Sequence, residues 1–498
     1  MKPGSCLIVT FDGLRRDRAT AALMPELAAF MAEGTDFVNS RSVFPSETRV
    51  AITSTVTGCT PREHGLVANQ FSHPRAVADR LFQTARHEDL QAADHIGALA
   101  DRISLGERLA AQDRCMAVVA TSSPGASWML NHQARRLGHP VYSMYGAPVT
   151  TQDMSAAAAE RIGPVPEGGT PNSARIAHAA RVLTEVIYPD HDPDLAVLWM
   201  NDPDLTAHHH GITAPQTSAA QAACDETFGR LLEWWRRGDG PENLIVMSDH
   251  GQITGLRHVD VAALLPEFRG HIAPGAFTGL YPEDASPAAV ARLVSQLSEL
   301  PECGLILTRP DPNDPAAGPA EGSFDMGLLG TGHARSPAVG FTLRATVSGE
   351  DMIDADDTDP DRDGALFCAG IPQLGGIHGG LHRGELSTVL AARGPAFGQR
   401  RRVETPCWLP DIAPTVLRIM GLDPAGCSGR VLAEGLSRPA AAPRVTPRRI
   451  DAQLGEHRQS LRQWVLEGGA VITDCGWSTR PDEIAAEMNP PLSRRAKT

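Results

Sequence analysis

Carboxylate and imidazole side chains follow several short apolar runs of this 498-residue sequence, at the point where each run ends. Asp12 comes directly after CLIVTF, and Asp249 and His250 come after NLIVMS. The segment that follows LAVLWM contains Asp204 and His208, which are spaced i and i+4. A mixed set of carboxylate and imidazole ligands suits zinc better than magnesium or calcium.

Two further residues extend this set of candidate ligands. His378 lies in QLGGIHGG, shortly before the apolar segment 385–392, and the hydroxyl of Thr48 opens the helical pattern after VFPSE. These side chains are too many for one tetrahedral ion and suit two, and ions about 3.5–4 Å apart form the clamp used for in-line phosphoryl displacement. Each motif alone has a plainer interpretation, such as a turn or a surface ion pair. Together they predict a centre with two Zn²⁺ ions per chain.

The elements that must position these residues follow from the apolar runs, which are rich in β-branched residues and alternate with helical patterns. This alternation predicts an α/β fold with a mostly parallel sheet, in which ligands bind beyond the carboxyl ends of the strands. The candidate ligands should therefore converge at one edge. The predicted strands are 6–11, 115–121, 195–200, 243–248 and 385–392, and the predicted helices are about 20–33, 104–112, 173–187, 215–236 and 410–420.

Composition changes along the chain predict three parts. Residues 1–254 and 376–436 form the catalytic core, because they hold the strands and the candidate ligands. Residues 255–375 are richer in Pro, Gly and Asp and are interpreted as an inserted cap region. Residues 437–498 are interpreted as a C-terminal linker and small tail, with a helix and a strand near WVLEGGAVIT.

The formal charge of −14 argues against binding to a nucleic-acid polymer or to a membrane surface. A small phosphate- or phosphonate-containing substrate fits if metal ions supply positive charge. The nine cysteines are scattered without a CxxC motif, and neither a signal peptide nor an apolar run of about 18 residues is recognisable. We therefore expect a cytoplasmic protein without a membrane span, and the sequence leaves its oligomeric state open.

Several motifs occur in an order and an approximate spacing that resemble the alkaline phosphatase superfamily: DGLRRD, FPSETR with TSTVTGCTPREHGLVAN, NDPDLTAHHHG, SDHG, and HGG with LAARGPAF. Over residues 6–70, 195–251 and 375–420 the chain resembles the nucleotide pyrophosphatase/phosphodiesterase (type I phosphodiesterase) family. HGGL is also similar to phosphonoacetate hydrolase. The resemblance implies an alkaline-phosphatase-like sheet sandwiched by helices, and hydrolysis of phosphodiester or pyrophosphate bonds.

The resemblance also implies roles for individual residues. Thr48 would be the nucleophile and become transiently phosphorylated, and Asn69 would donate to a non-bridging phosphoryl oxygen. One zinc ion, which activates the nucleophile, would be held by Asp12, Thr48, Asp249 and His250. The second, which faces the leaving group, would be held by Asp204, His208 and His378.

The chain departs from the family pattern directly after Thr48, where RVAI replaces an aromatic residue followed by PNH. Arg49 is interpreted either as a bidentate clamp for a second anionic group of the substrate or as a salt-bridge partner of Glu47 or of a nearby carboxylate. Trp199 is interpreted either as a base-stacking aromatic or as a core tryptophan. Phosphonate hydrolysis and phosphomonoester hydrolysis on the same site therefore remain alternatives. A metal-binding pseudoenzyme is the alternative that is not an enzyme.

Overall fold

The computed structural model describes residues 2–151, 154–310, 318–346 and 358–479. Its strands are β1 (Cys6–Phe11), β2 (Thr35–Phe37), β3 (Ser40–Arg41), β4 (Gln70–Phe71), β5 (Phe82–Gln83), β6 (Met116–Ala120), β7 (Val141–Ser143), β8 (Leu195–Met200), β9 (Asn243–Met247), β10 (Ile253–His258), β11 (Gly270–Ala273), β12 (Phe277–Pro282), β13 (Cys303–Thr308), β14 (Phe324–Asp325), β15 (Val339–Leu343), β16 (Gly364–Phe367), β17 (Gly376–Ile377), β18 (Leu390–Arg393), β19 (Arg401–Val403), β20 (Cys407–Trp408), β21 (Val445–Leu454), β22 (His457–Leu466) and β23 (Val471–Thr479).

The α-helices of the same ranges flank and connect these strands. They are α1 (Pro25–Glu33), α2 (Thr48–Thr57), α3 (Pro61–His64), α4 (His87–His95), α5 (Leu105–Ala110), α6 (Pro124–Met129), α7 (Ala134–Leu137), α8 (Met154–Arg161), α9 (Ser173–Val182), α10 (Tyr188–His191), α11 (Asp204–His210), α12 (Pro215–Arg236), α13 (Val261–Leu264), α14 (Pro287–Glu299), α15 (Arg383–Leu386) and α16 (Ile412–Ile419). Within the described residues, no helix is both long enough and apolar enough to span a bilayer.

The central sheet has eight strands in the order β19-β2-β18-β9-β1-β8-β6-β7. Strand β1 pairs in parallel with β8 and β9, and β6 pairs in parallel with β8 and β7. Strand β18 runs antiparallel to both of its neighbours, β9 and β2. The prediction of a mostly parallel α/β sheet is confirmed.

Both faces of the central sheet are covered, which explains why its strands are apolar throughout rather than alternating. Ile8 of β1 faces a cluster that includes Ile52 of α2 and Val416 of α16. Val9, the next residue of the strand, faces a cluster on the other side that includes Phe228 of α12. The sheet is therefore sandwiched between two layers of helices.

One predicted strand and one predicted helix differ in the structure. Segment 385–392 does not form one strand, because a short helix, α15, precedes β18. The Glu385 carboxylate accepts hydrogen bonds from the backbone amides of Gly380 and His382, which fixes the helical turn. In the tail, WVLEGGAVIT forms the end of β22, a turn and the start of β23 rather than a helix, and Gly468 and Gly469 in that turn both have φ +96°.

The region between the two halves of the core contains its own sheet. Five strands in the order β11-β12-β15-β13-β14 lie in it, and three more strands, in the order β16-β10-β17, form a smaller sheet. The ring of Phe277 on β12 packs edge-on against Phe44, with centroids 4.8 Å apart, next to the start of α2. This contact holds the region against the segment that leads to Thr48.

Candidate active site

The predicted ligands lie at the ends of the elements that the sequence indicated. Asp12 follows β1, Asp249 and His250 follow β9, and Asp204 begins α11 shortly after β8. Because β1, β8 and β9 are parallel, their carboxyl ends meet at one edge of the sheet. Thr48 is the first residue of α2, and His378 directly follows β17.

The first group of donor atoms surrounds the Nε2 atom of His250. This nitrogen lies 3.1 Å from Thr48 Oγ1, 3.2 Å from Asp249 Oδ2 and 3.6 Å from Asp12 Oδ1. The donor atoms of Asp12, Asp204 and His250 all lie within 4.8 Å of one another. The four side chains that the resemblance assigned to one ion therefore come together.

The second group is built around Asp204. Its Oδ2 atom lies 3.3 Å from His208 Nε2, and its Oδ1 atom lies 3.7 Å from His378 Nε2. The imidazole of His378 stacks on that of His250, with centroids 3.7 Å apart and planes 11° apart. The two groups are therefore adjacent, and Asp204 lies between them.

The three histidines are oriented by backbone carbonyl groups. The Nδ1 atom of each histidine lies close to one carbonyl oxygen. The distance is 2.7 Å from His208 to Gly376, 2.8 Å from His378 to Ser46 and 3.0 Å from His250 to Gly251. A proton on each Nδ1 donates to its carbonyl and leaves Nε2 as a lone-pair donor. Metal-bound histidines are held in this way.

The chemistry of this donor set fits divalent cations. Asp12 Oδ1 and Asp249 Oδ2 are buried and have no hydrogen-bond partner within the described residues. Burial, followed by repulsion from Asp249 and Asp204, raises the pKa of Asp12 well above its ordinary value, and burial also raises the pKa of Asp249. Several carboxylates packed together out of water need positive charge between them, which metal ions would supply.

Asn69 is held beside the segment that carries the nucleophile. Its backbone amide donates to the carboxylate of Glu47, which directly precedes Thr48. Its carbonyl oxygen accepts hydrogen bonds from the backbone amide of Thr84, at 3.0 Å, and from the Thr84 hydroxyl, at 2.9 Å. The side-chain Oδ1 atom of Asn69 is buried without a partner in the described part of the chain. This unpartnered side chain lies beside the segment that carries Thr48.

Arg49 does not form the salt bridge with Glu47 that was one of its two interpretations. Its Nη2 atom donates to Ser123 Oγ, at 3.0 Å, and its Nε atom is buried without a partner among the described residues. Burial lowers the pKa of Arg49, although the negative charges of Glu47, Asp12 and Asp204 act in the opposite direction and raise it. The guanidinium therefore lies within electrostatic reach of the ligand carboxylates.

Trp199 is buried in the sheet, with 1% of its surface exposed. Its indole Nε1 donates to Asp12 Oδ2, at 2.8 Å. The structure matches the interpretation as a core tryptophan, since a base-stacking side chain needs an exposed ring face. The hydrogen bond fixes Asp12 so that its other oxygen, Oδ1, faces His250.

Sequence reasoning missed two residues that support the ligands. Gln252 donates through Nε2 to Asp204 Oδ1, at 2.5 Å. The hydroxyl of Ser46 donates to the carbonyl of Gly380 and accepts from the amide of Gly379, both at 3.0 Å. A lone glutamine or serine carries no sequence signature, and these contacts join segments that are far apart along the chain.

Comparisons with known proteins agree with this geometry. Ectonucleotide pyrophosphatase/phosphodiesterase family member 1 of Mus musculus is 25% identical over 255 residues, which are 50% of this chain and 24% of that protein. Bis(5'-adenosyl)-triphosphatase of Xenopus laevis is 39% identical over 65 residues, which are 13% of this chain and 14% of that protein. The matched segments thus span a quarter or less of the length of these relatives.

Solved structures show the same fold. Murine ectonucleotide pyrophosphatase/phosphodiesterase 5 superposes with a TM-score of 0.58 at 18% identity, covering 87% of this chain and 100% of that chain. An inactive variant of that protein in complex with AMP superposes equally well. The sequence model of the type I phosphodiesterase / nucleotide pyrophosphatase family matches residues 6–320. The chain therefore belongs to the type I phosphodiesterase / nucleotide pyrophosphatase family of the alkaline phosphatase superfamily.

Proposed function

We propose that the chain hydrolyses phosphodiester or pyrophosphate bonds with two zinc ions and a phosphothreonine intermediate on Thr48. The observation that carries this proposal is the convergence of the Thr48 hydroxyl with two adjacent groups of metal-binding side chains. Family membership supports the class of reaction. The names of the relatives, a nucleotide pyrophosphatase/phosphodiesterase and a bis(5'-adenosyl)-triphosphatase, favour a small nucleotide-containing substrate.

The two groups of donor atoms divide between the two ions. When bound, the ions would lower the pKa of the attacking hydroxyl and offset the charge that develops on the leaving oxygen. The residues that would hold the first ion are Asp12, Thr48, Asp249 and His250. Those that would hold the second are Asp204, His208 and His378.

The residues of the chain supply the nucleophile and the positioning. The oxygen of Thr48 attacks phosphorus, the bond from phosphorus to the leaving oxygen breaks, and a phosphothreonine remains. A water molecule then attacks the same phosphorus and displaces the oxygen of Thr48, which takes up a proton again. Asn69 would donate to a phosphoryl oxygen, and the free amides at the start of α2 would stabilise its negative charge.

Arg49 favours a second candidate on the same site, the hydrolysis of a phosphomonoester or of a carboxylated phosphonate. Its guanidinium directly follows the nucleophile, makes no ion pair with Glu47 and has a buried Nε atom without a partner in the described residues. A diester carries one negative charge, whereas these substrates carry a second one near phosphorus. A guanidinium binds such a charge through two parallel hydrogen bonds.

A panel of nitrophenyl diesters, monoesters and phosphonates tests the proposal. We expect zinc-loaded protein to hydrolyse at least one ester class, and the matched variant Thr48→Ala to lose that activity. Fastest turnover of a diester supports the first candidate, and fastest turnover of a monoester or a phosphonate supports the second. A zinc-loaded, folded protein that hydrolyses none of these compounds would support the pseudoenzyme alternative instead.

A further inference from the structure

A buried aspartate of the C-terminal sheet, which consists of β21, β22 and β23 in that order, contacts arginines from three separate segments. Asp474 lies on β23, and its side chain is fully buried. Its Oδ1 atom accepts from Nη2 of Arg41, at 2.7 Å, and from Nε of the same arginine, at 3.0 Å. Its Oδ2 atom accepts from Nη2 of Arg383 and from Nε of Arg462, each at 2.5 Å. One carboxylate therefore bridges guanidinium groups from distant parts of the chain.

Two of these arginines stand at the bases of the loops that carry the candidate site. Arg41 ends β3, just before the nucleophile loop (residues 42–48), and Arg383 lies within the histidine loop (residues 378–386). The side chains of both arginines are buried, with 6% and 5% exposed. The bases of the loops are also paired directly, since the amide of Ser42 donates to the carbonyl of Leu386, at 2.8 Å.

The same two loops meet again at the site itself. Ser46 of the nucleophile loop holds Gly379 and Gly380 through its hydroxyl and His378 through its carbonyl oxygen. The distance between the hydroxyl of Thr48 and the imidazole of His378 therefore depends on how the two loops pack against each other.

The C-terminal sheet also contacts the histidine loop through its backbone and its apolar face. The amide of Gly476 on β23 donates to the carbonyl of Leu381, at 2.9 Å. Leu461 of β22 packs in one cluster with Leu381 and Leu386. The four residues that form these contacts all lie beyond residues 6–320, the range that the family model matches.

We propose that Asp474 is a positioning residue, and that the C-terminal sheet braces the nucleophile loop against the histidine loop. If the carboxylate is neutralised, the buried guanidinium groups of Arg41 and Arg383 lose the negative charge that joins them and repel each other. The loops would then separate at their bases, and Thr48 and His378 would lose their placement relative to each other. The catalytic consequence rests on the proposed function, whereas the ordering of the loops does not.

The test compares Asp474→Asn and Arg383→Met with a control on the same sheet, Asp451→Asn. Asp451 also pairs with an arginine, Arg449, but the side chains of both residues are exposed. The first measurement is hydrogen exchange of the metal-free proteins, read on peptides that cover the two loops. We expect about tenfold faster exchange in both loops for the two test variants, and wild-type exchange for the control.

The second measurement is zinc affinity and turnover, at a temperature where circular dichroism shows each variant folded. We expect about tenfold weaker binding of zinc, which is the lower end of the roughly 10- to 100-fold range for residues that support metal ligands. We also expect a lower kcat and an unchanged KM. Faster exchange confined to residues 445–479, or wild-type exchange in both loops, would contradict the proposed positioning role of Asp474. If Asp474→Asn does not fold, Arg383→Met decides alone. A wild-type protein without activity would refute the proposed function. The exchange data would still show whether Asp474 orders the two loops.

Discussion

The indole of Trp199 and the carboxylate of Asp12 are joined by a hydrogen bond of 2.8 Å, although Trp199 lies on β8 and Asp12 directly follows β1. Strands β1 and β8 are paired in parallel so that Thr10 lies opposite Trp199. The indole therefore reaches the first residue beyond β1, and it engages only one oxygen of Asp12. The other oxygen, Oδ1, has no hydrogen-bond partner among the described residues and is available to the proposed metal ion.

This relationship predicts the effect of Trp199→Phe. The variant keeps an aromatic ring in the core but removes the donor to Asp12, a hydrogen bond to a charged group that is worth about 1.5–3 kcal/mol. We expect weaker binding of one zinc ion, by about 10- to 100-fold. Zinc titration against a chromophoric chelator measures this effect. A variant that binds both ions as wild type does, but prefers non-nucleotide over nucleotide substrates, would instead support base stacking by Trp199.

Zinc content is the second prediction. The protein should contain two zinc ions per chain, and a chelator should abolish activity that added zinc restores. His378→Ala should weaken the binding of one ion selectively, because its Nε2 faces Asp204. His210→Ala is a matched control, since this histidine is exposed and contacts Thr170 instead of a predicted ligand. Full activity of the metal-free protein, or a strict requirement for magnesium, would contradict the prediction.

Arg49→Ala distinguishes the two candidate substrates. A charge-assisted contact is worth about 1.5–3 kcal/mol, or one to two powers of ten in kcat/KM. We expect that loss with a doubly charged nitrophenyl substrate and a much smaller one with a simple aryl diester. The melting temperature serves as the control for folding, since Arg49 also donates to Ser123. Equal losses with both substrates, together with a lower Tm, would show that Arg49 serves stability alone.

Asn69→Ala should lower kcat by about 10- to 1,000-fold, the range for losing one donor to a developing negative charge. Its backbone contacts with Glu47 and Thr84 do not involve the side chain, so the fold around the site should persist. Steady-state kinetics and the zinc content of the variant measure both effects. An unchanged kcat would remove Asn69 from the mechanism.

The sequence predicted well those parts of the structure that depend on local pattern. Strands such as Cys6–Phe11 and Leu195–Met200 are continuous apolar runs, and a parallel sheet brings their carboxyl ends together whatever connects them. The bond of Trp199 to Asp12 and the three arginines around Asp474 were not predictable, because they depend on the register of distant segments. In the tail, the helical prediction was wrong because Gly468 and Gly469 form a turn between two strands.

Direct detection of the covalent intermediate tests the central claim. Zinc-loaded protein is mixed with a nitrophenyl diester, quenched in acid within one turnover and digested, and the peptides are analysed by mass spectrometry. We expect the phosphoryl group, with its remaining ester group, on Thr48. The variant Thr48→Ala should lack the label and lose several kcal/mol of transition-state stabilisation, whereas Thr48→Ser should retain both label and activity. A label on another residue, or unchanged turnover in Thr48→Ala, would contradict the assignment of Thr48 as the nucleophile.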